Sequence, residues 1–225
     1  MNSLKIKNAL IICNGDLSKR LIQRFIKLYK PLKQVIIAAD GASDFLYRHK
    51  INPDYIVGDL DSLSTTAKKY FSSKKVLIKK VYDQYKNDLE KCIIFALNKG
   101  YKKISIVGLT GKRFDHTLNN FSILKKYSVK ADIKAYDNDF EYCFIKKKIE
   151  FEYKKGEVVS LLALPKASGI TTSGLKYPLK NRTLEFGGMQ GALNTATGKI
   201  VKVEVKKGLL LIIKKHFTFN LNKGS

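Results

Sequence analysis

The chain has 225 residues, 44% of them hydrophobic, enough for one large domain or two small ones with proper cores. It contains no apolar run near the roughly 18 residues that span a bilayer. Its three cysteines, Cys13, Cys92 and Cys143, form no C-x-x-C motif, so we expect buried free thiols rather than a zinc or redox site.

The formal net charge of +24 raises the hypothesis of a nucleic-acid-binding protein. Among the 43 basic residues, however, five are arginine, and the lysines are spread along the whole chain rather than gathered in one stripe. Arginine is the side chain that nucleic-acid sites favour, so this distribution is more typical of a solvated surface that attracts anionic substrates.

The first segment, residues 1–5, leads into an apolar run over residues 9–13. That run is too short for the hydrophobic region of a signal peptide, and no small-residue cleavage site follows it. This start predicts a cytoplasmic protein.

Short apolar runs and segments of helical spacing then alternate up to residue 136. In chain order the pattern predicts strand 9–13, helix 17–29, strand 34–39, helix 43–49, strand 55–57, helix 64–71, strand 75–78, helix 87–98, strand 103–107, helix 114–127 and strand 132–136. Repeated β-α units predict a Rossmann-like α/β domain, a mainly parallel sheet with helices on both faces.

The pattern changes at the turn cluster 137–139, after which helical periodicity is absent. Short apolar segments broken by glycines and Pro165 predict strands 141–145, 149–153, 158–164, 169–172, 183–186, 200–205 and 209–213. Short, regularly spaced strands with turn signals are typical of an all-β sandwich or barrel. We therefore predict an α/β domain at 1–138 and a β-sandwich domain at 139–225.

Aspartates follow the predicted strands of the first domain in a regular way: Asp40, Asp59, Asp61, Asp83, Asp88 and Asp115. Taken singly, each is a typical helix cap or turn residue. The carboxyl ends of parallel strands share one edge, however, where open α/β sheets bind ligands. Carboxylates gathered there repel one another without a cation, and hard oxygen ligands suit Mg²⁺. The spacing therefore predicts a magnesium site that handles phosphates.

A glycine-containing loop, residues 108–116, follows the fifth predicted strand. Its glycines, Gly108 and Gly111, allow the backbone to approach phosphate, and the next helix, whose first N–H groups are free, begins directly afterwards. Arg113 offers a planar fork for phosphate oxygens, and it stands where a Walker A loop has Ser or Thr. His116 has two interpretations, as a general base or as a structural residue at the helix start.

Four motifs together resemble the thiamine pyrophosphokinase family, in its order and spacing. They are Ala39-Asp40-Gly41-Ala42, Pro53-Asp54-Tyr55-Ile56-Val57-Gly58-Asp59-Leu60-Asp61-Ser62, Asp83-Gln84 with Asn87-Asp88-Leu89-Glu90-Lys91, and Thr110-Gly111-Lys112-Arg113-Phe114-Asp115-His116. The later segments 174–179 and 191–198 resemble the family too, so the likeness covers nearly the whole chain.

The resemblance implies an enzyme that transfers the terminal two phosphates of ATP to the hydroxyl of thiamine, releasing AMP. It implies a catalytic domain that binds ATP and Mg²⁺, and a sandwich domain that binds thiamine and forms a homodimer whose sites lie between subunits. It places Mg²⁺ on Asp59, Asp61 and Asp88, and the phosphates by Arg113 and Asp115. Further expected nucleotide-site residues are Asp40, Asp83, Lys91, Thr110, Gly111 and His116; those expected at thiamine are Gln84, Leu193 and Asn194.

Some positions depart from the family pattern. Asn87 replaces a threonine, Lys112 replaces a glycine, and residues 41–44 read Gly-Ala-Ser-Asp instead of Gly-Gly-Ala-Asn. These changes spare the charged positions. Leu193 and Thr195 flank Asn194 where the family has Ser and Glu, which keeps open a second hypothesis, a pyrophosphokinase for a pterin-like hydroxymethyl heterocycle. The choice between Asp88 and Asp115 as general base also stays open.

Overall fold

The computed structural model describes residues 7–29, 31, 34–111 and 113–216. Residues 1–5 and Lys112, both used in the sequence interpretation, lie outside this part of the chain. The chain divides into two compact units, residues 1–138 and 139–225. No helix in the described ranges combines the length and the apolar character needed to cross a membrane.

The first unit is built around six parallel strands. Its elements are β1 (Lys7–Ile12), α1 (Lys19–Tyr29), β2 (Val35–Ala39), α2 (Ser43–Arg48), β3 (Tyr55–Gly58), α3 (Thr65–Ser73), β4 (Leu77–Lys80), α4 (Asp88–Asn98), β5 (Tyr101–Val107), α5 (Phe114–Tyr127) and β6 (Asp132–Tyr136). The strand order is β4-β3-β2-β1-β5-β6, with every pair parallel. This confirms the predicted α/β fold.

The strand order creates a topological switch point beside β1. The chain moves from β1 outward through β2 and β3 to β4, then crosses back over α4 to β5 on the other side of β1. At such a point the connections before and after leave the central strand in opposite directions, which opens a crevice at the carboxyl end of the sheet. The loops after β1 and β5 therefore border the natural ligand site of this unit.

The central strand β1 is buried along all but its first residue, and its Leu10 and Ile12 belong to a core that includes Ile22 and Ile56. Ser64, the residue just before α3, accepts a hydrogen bond from the Ala67 N–H through its side-chain oxygen. This cap fixes the beginning of α3.

The start of β4 differs from prediction. The predicted strand began at Lys75, but Lys75 has a φ of +60° in the turn that follows α3, so β4 begins at Leu77.

The second unit is entirely antiparallel. Its strands are β7 (Phe140–Ile145), β8 (Lys148–Glu152), β9 (Val158–Ser173), β10 (Arg182–Glu185), β11 (Gly191–Thr195), β12 (Ile200–Glu204) and β13 (Lys207–Lys215). The long strand β9 pairs with β13, β10 and β11 in one sheet and with β12 in the other. Residues of both sheets, such as Leu161 and Val203, share one buried core, as the sandwich prediction requires.

Two details of the sandwich differ from the predicted strands. Residues 158–164 and 169–172 were predicted as separate strands, but they form the single strand β9. Pro165 has no N–H to donate to a neighbouring strand, but its carbonyl still accepts from the Phe186 N–H. Gly169 adopts a φ of +68° within the strand, which a glycine does without strain. The second difference is β11, which was not among the predicted strands. Its sequence has no apolar alternation, and Leu193 within it has a φ of +55°, so it lacks the periodicity of a regular strand.

Candidate active site

A cleft of about 380 Å³ lies at the carboxyl edge of the parallel sheet. Loops after β1, β2, β3 and β5 and the beginnings of α4 and α5 contribute to its walls. The residues that line it are Cys13, Asn14, Gly15, Ala39, Gly41, Asp59, Ser62, Lys86, Asn87, Asp88, Leu89, Lys91, Gly108, Leu109, Gly111, Arg113, His116 and Asn120. Segments about a hundred residues apart in sequence thus meet at the switch point.

Three carboxylates converge at this edge. Asp40, Asp59 and Asp88 each offer one oxygen, and these three oxygens lie within 4.8 Å of one another. Asp40 is completely buried, and its two oxygens accept from the N–H groups of Gly41 and Leu60, each at 2.8 Å. Because Leu60 has a φ of +71°, a left-handed conformation that costs energy for leucine, Asp40 also holds the turn that carries Asp59.

Lys91 is the cation that this structure places among the acids. Its Nζ lies 2.7 Å from Asp59 Oδ2 and 3.2 Å from Asp88 Oδ1, and its side chain is 2% exposed. Burial by itself would lower the pKa of Lys91, but the hydrogen bonds to the two carboxylates outweigh it and raise that pKa, so the ammonium stays charged. The same hydrogen bond from Lys91 lowers the pKa of Asp59.

The acids carry more negative charge than Lys91 balances. Burial, followed by the charge of and hydrogen bond with Asp88, raises the pKa of Asp40 to about 7. At neutral pH the Asp40 carboxyl group is therefore near the midpoint of its titration. A further cation at this site would favour its ionised form. Three hard oxygen donors within 4.8 Å fit a Mg²⁺ ion that keeps further positions for water and phosphate.

Gly58 gives Asp40 the space it occupies. A Cβ at residue 58 would lie 2.4 Å from Asp40 Cγ, far inside van der Waals contact. We expect Gly58→Ala to lower the free energy of unfolding by about 2 kcal/mol or more, because neither the buried carboxylate nor the strand can move freely. Urea denaturation measures it; Gly198→Ala is the control, with no atom within 4 Å of its new Cβ. Equal stability of the two variants would show that the Asp40 contact is not tight.

The loop after β5 is fixed by the loop after β1. The Gly15 N–H donates to the Gly108 carbonyl at 2.9 Å, and the Asp16 N–H donates to the Thr110 carbonyl at 2.8 Å. A Cβ at Gly15 would lie 2.2 Å from that Thr110 oxygen, so the approach requires glycine. In a trans peptide the carbonyl and the next N–H point in opposite directions. The N–H groups of Leu109 and Gly111 therefore point away from the β1 loop, and both residues line the cleft.

Arg113 and Asp115 form a bidentate pair at the beginning of α5. Arg113 Nε donates to Asp115 Oδ1 at 3.0 Å and Nη2 donates to Oδ2 at 2.5 Å, and both side chains are exposed. The hydrogen bonds with Arg113 lower the pKa of Asp115 to about 2. Arg113 and His116 line the cleft, and Asp115, which is not among the lining residues, fixes the guanidinium through these two bonds.

Of the six aspartates predicted at this edge, the structure leaves Asp61, Asp83 and Asp115 outside the carboxylate group. Asp61 is exposed, and its N–H donates to Asp59 Oδ1 at 3.3 Å, so it supports the loop of Asp59. Asp83 accepts from Lys86 and from the Tyr85 N–H. With Gln84 it lines a separate open surface bounded by the exposed rings of Tyr82 and Tyr85.

In the second unit, the predicted thiamine residues Leu193 and Asn194 have different surroundings. Leu193 is 77% exposed. Asn194 is buried, and its amide group is used within the sandwich: Oδ1 accepts from the N–H groups of Tyr177 and Thr195, and Nδ2 donates to the Tyr177 carbonyl at 2.7 Å. In this unit, therefore, Asn194 shapes the β11 surface, and Leu193 presents a side chain on it.

Sequence reasoning missed several residues that line the cleft, notably Asn14, Lys86 and Asn120. Asn14 carries a usable signal, since it follows β1 just as Asp40 follows β2. Asn120 carries none, because it lies two turns into α5 and reaches the site through tertiary contacts. The cysteine prediction is confirmed: Cys13, Cys92 and Cys143 are free and buried. Burial raises the pKa of Cys92, and its Sγ donates to the Val57 carbonyl, which makes it a poor nucleophile.

Two protein-family models match the chain, one in each unit. Residues 26–136 match the model described as "Thiamin pyrophosphokinase, catalytic domain". Residues 146–210 match "Thiamin pyrophosphokinase, vitamin B1 binding domain". Together the matched ranges extend over most of both units.

Similar whole proteins carry the same description. The chain is 30% identical over 243 residues to thiamine pyrophosphokinase 2 of Oryza sativa subsp. japonica, covering 94% of this chain and 88% of that protein. It is 29% identical over 185 residues to thiamine pyrophosphokinase of Bacillus subtilis (strain 168), covering 79% and 86%.

Crystal structures with these descriptions share the fold. The structure of thiamine pyrophosphokinase from Bacillus subtilis superimposes with a TM-score of 0.80 at 24% identity, covering 93% of this chain and 99% of that one. The yeast thiamin pyrophosphokinase structure superimposes with a TM-score of 0.78 at 23% identity, covering 96% and 88%.

Proposed function

The chain belongs to the thiamine pyrophosphokinase family, and from this premise we propose that it transfers pyrophosphate from ATP to the hydroxyl of thiamine, giving thiamine diphosphate and AMP. The observation that carries the proposal is the group of Asp40, Asp59 and Asp88 at the switch-point cleft, beside a loop that offers backbone N–H groups. Acids for a cation and N–H groups for phosphate are the two parts that phosphoryl transfer needs.

In this proposal Asp40, Asp59 and Asp88 would hold Mg²⁺, and Asp61 would assist from the adjoining turn. A bound Mg²⁺ would offset charge on the triphosphate, which favours attack at phosphorus. Arg113, which also lines the cleft, would do the same: its side chain is exposed, Asp115 engages its Nε and Nη2, and its Nη1 group remains for phosphate oxygens.

The transfer is an in-line displacement at the β-phosphorus. The thiamine hydroxyl oxygen forms the new bond, the bond from the β-phosphorus to the oxygen bridging it to the α-phosphate breaks, and AMP leaves with that oxygen and its electron pair. The hydroxyl proton passes to a nearby carboxylate. Asp88 is better placed to accept it than Asp115, because Asp88 lines the cleft, whereas Asp115 is not among the lining residues and both its oxygens accept from Arg113.

The division of labour between the units is also a proposal. The first unit is the ATP and Mg²⁺ domain, with Lys91, Gly111 and His116 of the cleft lining, and Thr110 next to them, around the nucleotide. Asp83, which was also predicted there, lies instead on the separate surface beside Gln84. The second unit binds thiamine, which the match of residues 146–210 to a vitamin B1 binding domain supports. It also forms a homodimer in this proposal. The exposed loop of Gln84 is open to a partner subunit. We propose a cytoplasmic location, which suits the supply of ATP.

One assay tests the proposed reaction. The protein is incubated with ATP, Mg²⁺ and thiamine, and the nucleotides are separated. We expect AMP to form in the presence of thiamine. ADP as the thiamine-dependent product would indicate a simple kinase and overturn the proposal, and so would AMP formation with a hydroxymethyl pterin but not with thiamine. The family matches weigh against the pterin substrate and against an RNA-binding protein.

A further inference from the structure

Two asparagines connect the phosphate loop to the helix that carries Asp88. Asn120 Nδ2 donates to the Leu109 carbonyl at 2.9 Å, and Asn120 Oδ1 accepts from Asn87 Nδ2 at 3.0 Å. Asn87 Oδ1 in turn accepts from the Glu90 N–H at 3.0 Å and caps α4. These bonds form a continuous relay from the loop after β5, through α5, to the beginning of α4.

The chemistry of the two ends permits one orientation of the relay. The Leu109 carbonyl can accept but not donate, so it must meet the Nδ2 of Asn120. The Glu90 N–H can donate but not accept, so it must meet the Oδ1 of Asn87. The remaining atoms, Asn120 Oδ1 and Asn87 Nδ2, are then an acceptor facing a donor, and every polar atom along the path has a partner.

The relay completes the fixation of the phosphate loop. The β1 loop already holds the Gly108 and Thr110 carbonyls on one side, through Gly15 and Asp16. Asn120 holds the carbonyl between them, that of Leu109, so three successive carbonyls of the loop have fixed partners. Loops held in this way keep their N–H groups in place before an anion arrives, which removes an ordering cost from binding.

We propose that Asn87 and Asn120 are positioning residues that set the distance and orientation between the N–H groups of residues 109–111 and the carboxylate of Asp88. In this role they tune affinity for the polyphosphate of the nucleotide. The proposal rests on the proposed function for the identity of that ligand, but its test requires no turnover.

The test measures binding of α,β-methylene-ATP with Mg²⁺ by calorimetry, since the methylene group blocks the bond that the reaction breaks. Asn120→Ala removes both relay bonds and should weaken binding about five- to tenfold, the worth of a typical hydrogen bond. Asn87→Ser keeps an oxygen to cap α4 but is too short to reach Asn120, and should weaken binding about threefold. Asn119→Ala is the matched control, since Asn119 is exposed on the same helix.

The double variant decides whether the two residues act as one unit. If they do, Asn87→Ser combined with Asn120→Ala should bind like Asn120→Ala alone, because the second change has no relay left to break. Effects that simply add, or an Asn120→Ala protein that binds as tightly as Asn119→Ala, would overturn the proposal. If Asn120→Ala does not fold, the comparison of Asn87→Ser with wild type carries the test, and unchanged binding there overturns it.

The same samples separate this inference from the proposed function. Wild-type protein that binds the analogue but makes no thiamine-dependent AMP would overturn the function and leave the relay to be judged on the binding constants. Thermal denaturation by circular dichroism provides the structural readout, since a purely structural role would lower the melting temperature and leave the dissociation constant of the folded protein unchanged.

Discussion

Asp59→Asn is expected to reduce thiamine-dependent AMP formation by a hundredfold or more. The substitution keeps the shape of the side chain but removes one of three clustered negative charges and one hard oxygen donor. Removing a single group that stabilises transition-state charge commonly costs 10²–10³ in rate, that is about 2.7–4 kcal/mol. The initial rate of AMP release at saturating ATP, Mg²⁺ and thiamine gives the measurement.

The charge distribution around Asp59 explains why the loss should be large. Lys91 Nζ lies 2.7 Å from Asp59 Oδ2, and that carboxylate is 42% exposed on its open side. An asparagine there would leave the buried ammonium with Asp88 as its remaining acid partner, which draws that carboxylate away from the ion. Both the binding of the cation and the position of Asp88 change together.

Asp132→Asn is the matched control for this experiment. Asp132 begins β6 and is exposed, and it has no place in the cleft. We expect this control to retain wild-type activity. An Asp59→Asn protein that forms AMP at a rate within twofold of the control would contradict the assignment of Asp59 to the cation site.

The sequence could predict the strands of the first unit and the acids in the connections that follow them. Asp40 and Asp59 directly follow β2 and β3, and Asp88 begins the helix after β4. Parallel pairing brings these connections to one edge, where the structure gathers these three of the six predicted acids. The pattern of buried residues that defined the strands is local, and local patterns are what periodicity detects.

The distribution of roles among these acids depends on tertiary contacts that no local pattern encodes. The left-handed turn at Leu60 separates Asp61 from Asp59, and it is held by Asp40 from a loop twenty residues away. In the same way, Asn120 joins the site through the Leu109 carbonyl. Such bonds arise only after the elements have packed, so the sequence predicted the edge but not the arrangement on it.

Lys91→Met should lower the stability of the metal-free protein by about 2 kcal/mol. Removing one partner of a buried ion pair typically costs 3–5 kcal/mol. Here Asp59 and Asp88 are 42% and 34% exposed, so water screens the carboxylates that remain and the cost is smaller. Methionine retains most of the buried apolar stem, so the change isolates the ammonium. Urea denaturation in a chelating buffer gives the free energy of unfolding.

The second half of this prediction concerns Mg²⁺. Without Lys91, the three carboxylates lack their internal counter-ion, so a divalent cation should stabilise the variant more than it stabilises wild type. Ligand binding to the folded state raises stability in proportion to the logarithm of its affinity. At equal Mg²⁺ concentration we therefore expect the stability gap between Lys91→Met and wild type to narrow, even though the variant loses activity because Asp59 and Asp88 are no longer held in place.

Lys102→Met provides the comparison, because Lys102 is an exposed lysine on β5 and its loss changes the net charge equally. That variant should match wild type in stability with and without Mg²⁺. If Lys91→Met and wild type gained the same stability from Mg²⁺, the ion would bind away from Asp59 and Asp88. The result expected here, a larger gain in Lys91→Met alone, would place the cation and the lysine at the same pair of carboxylates.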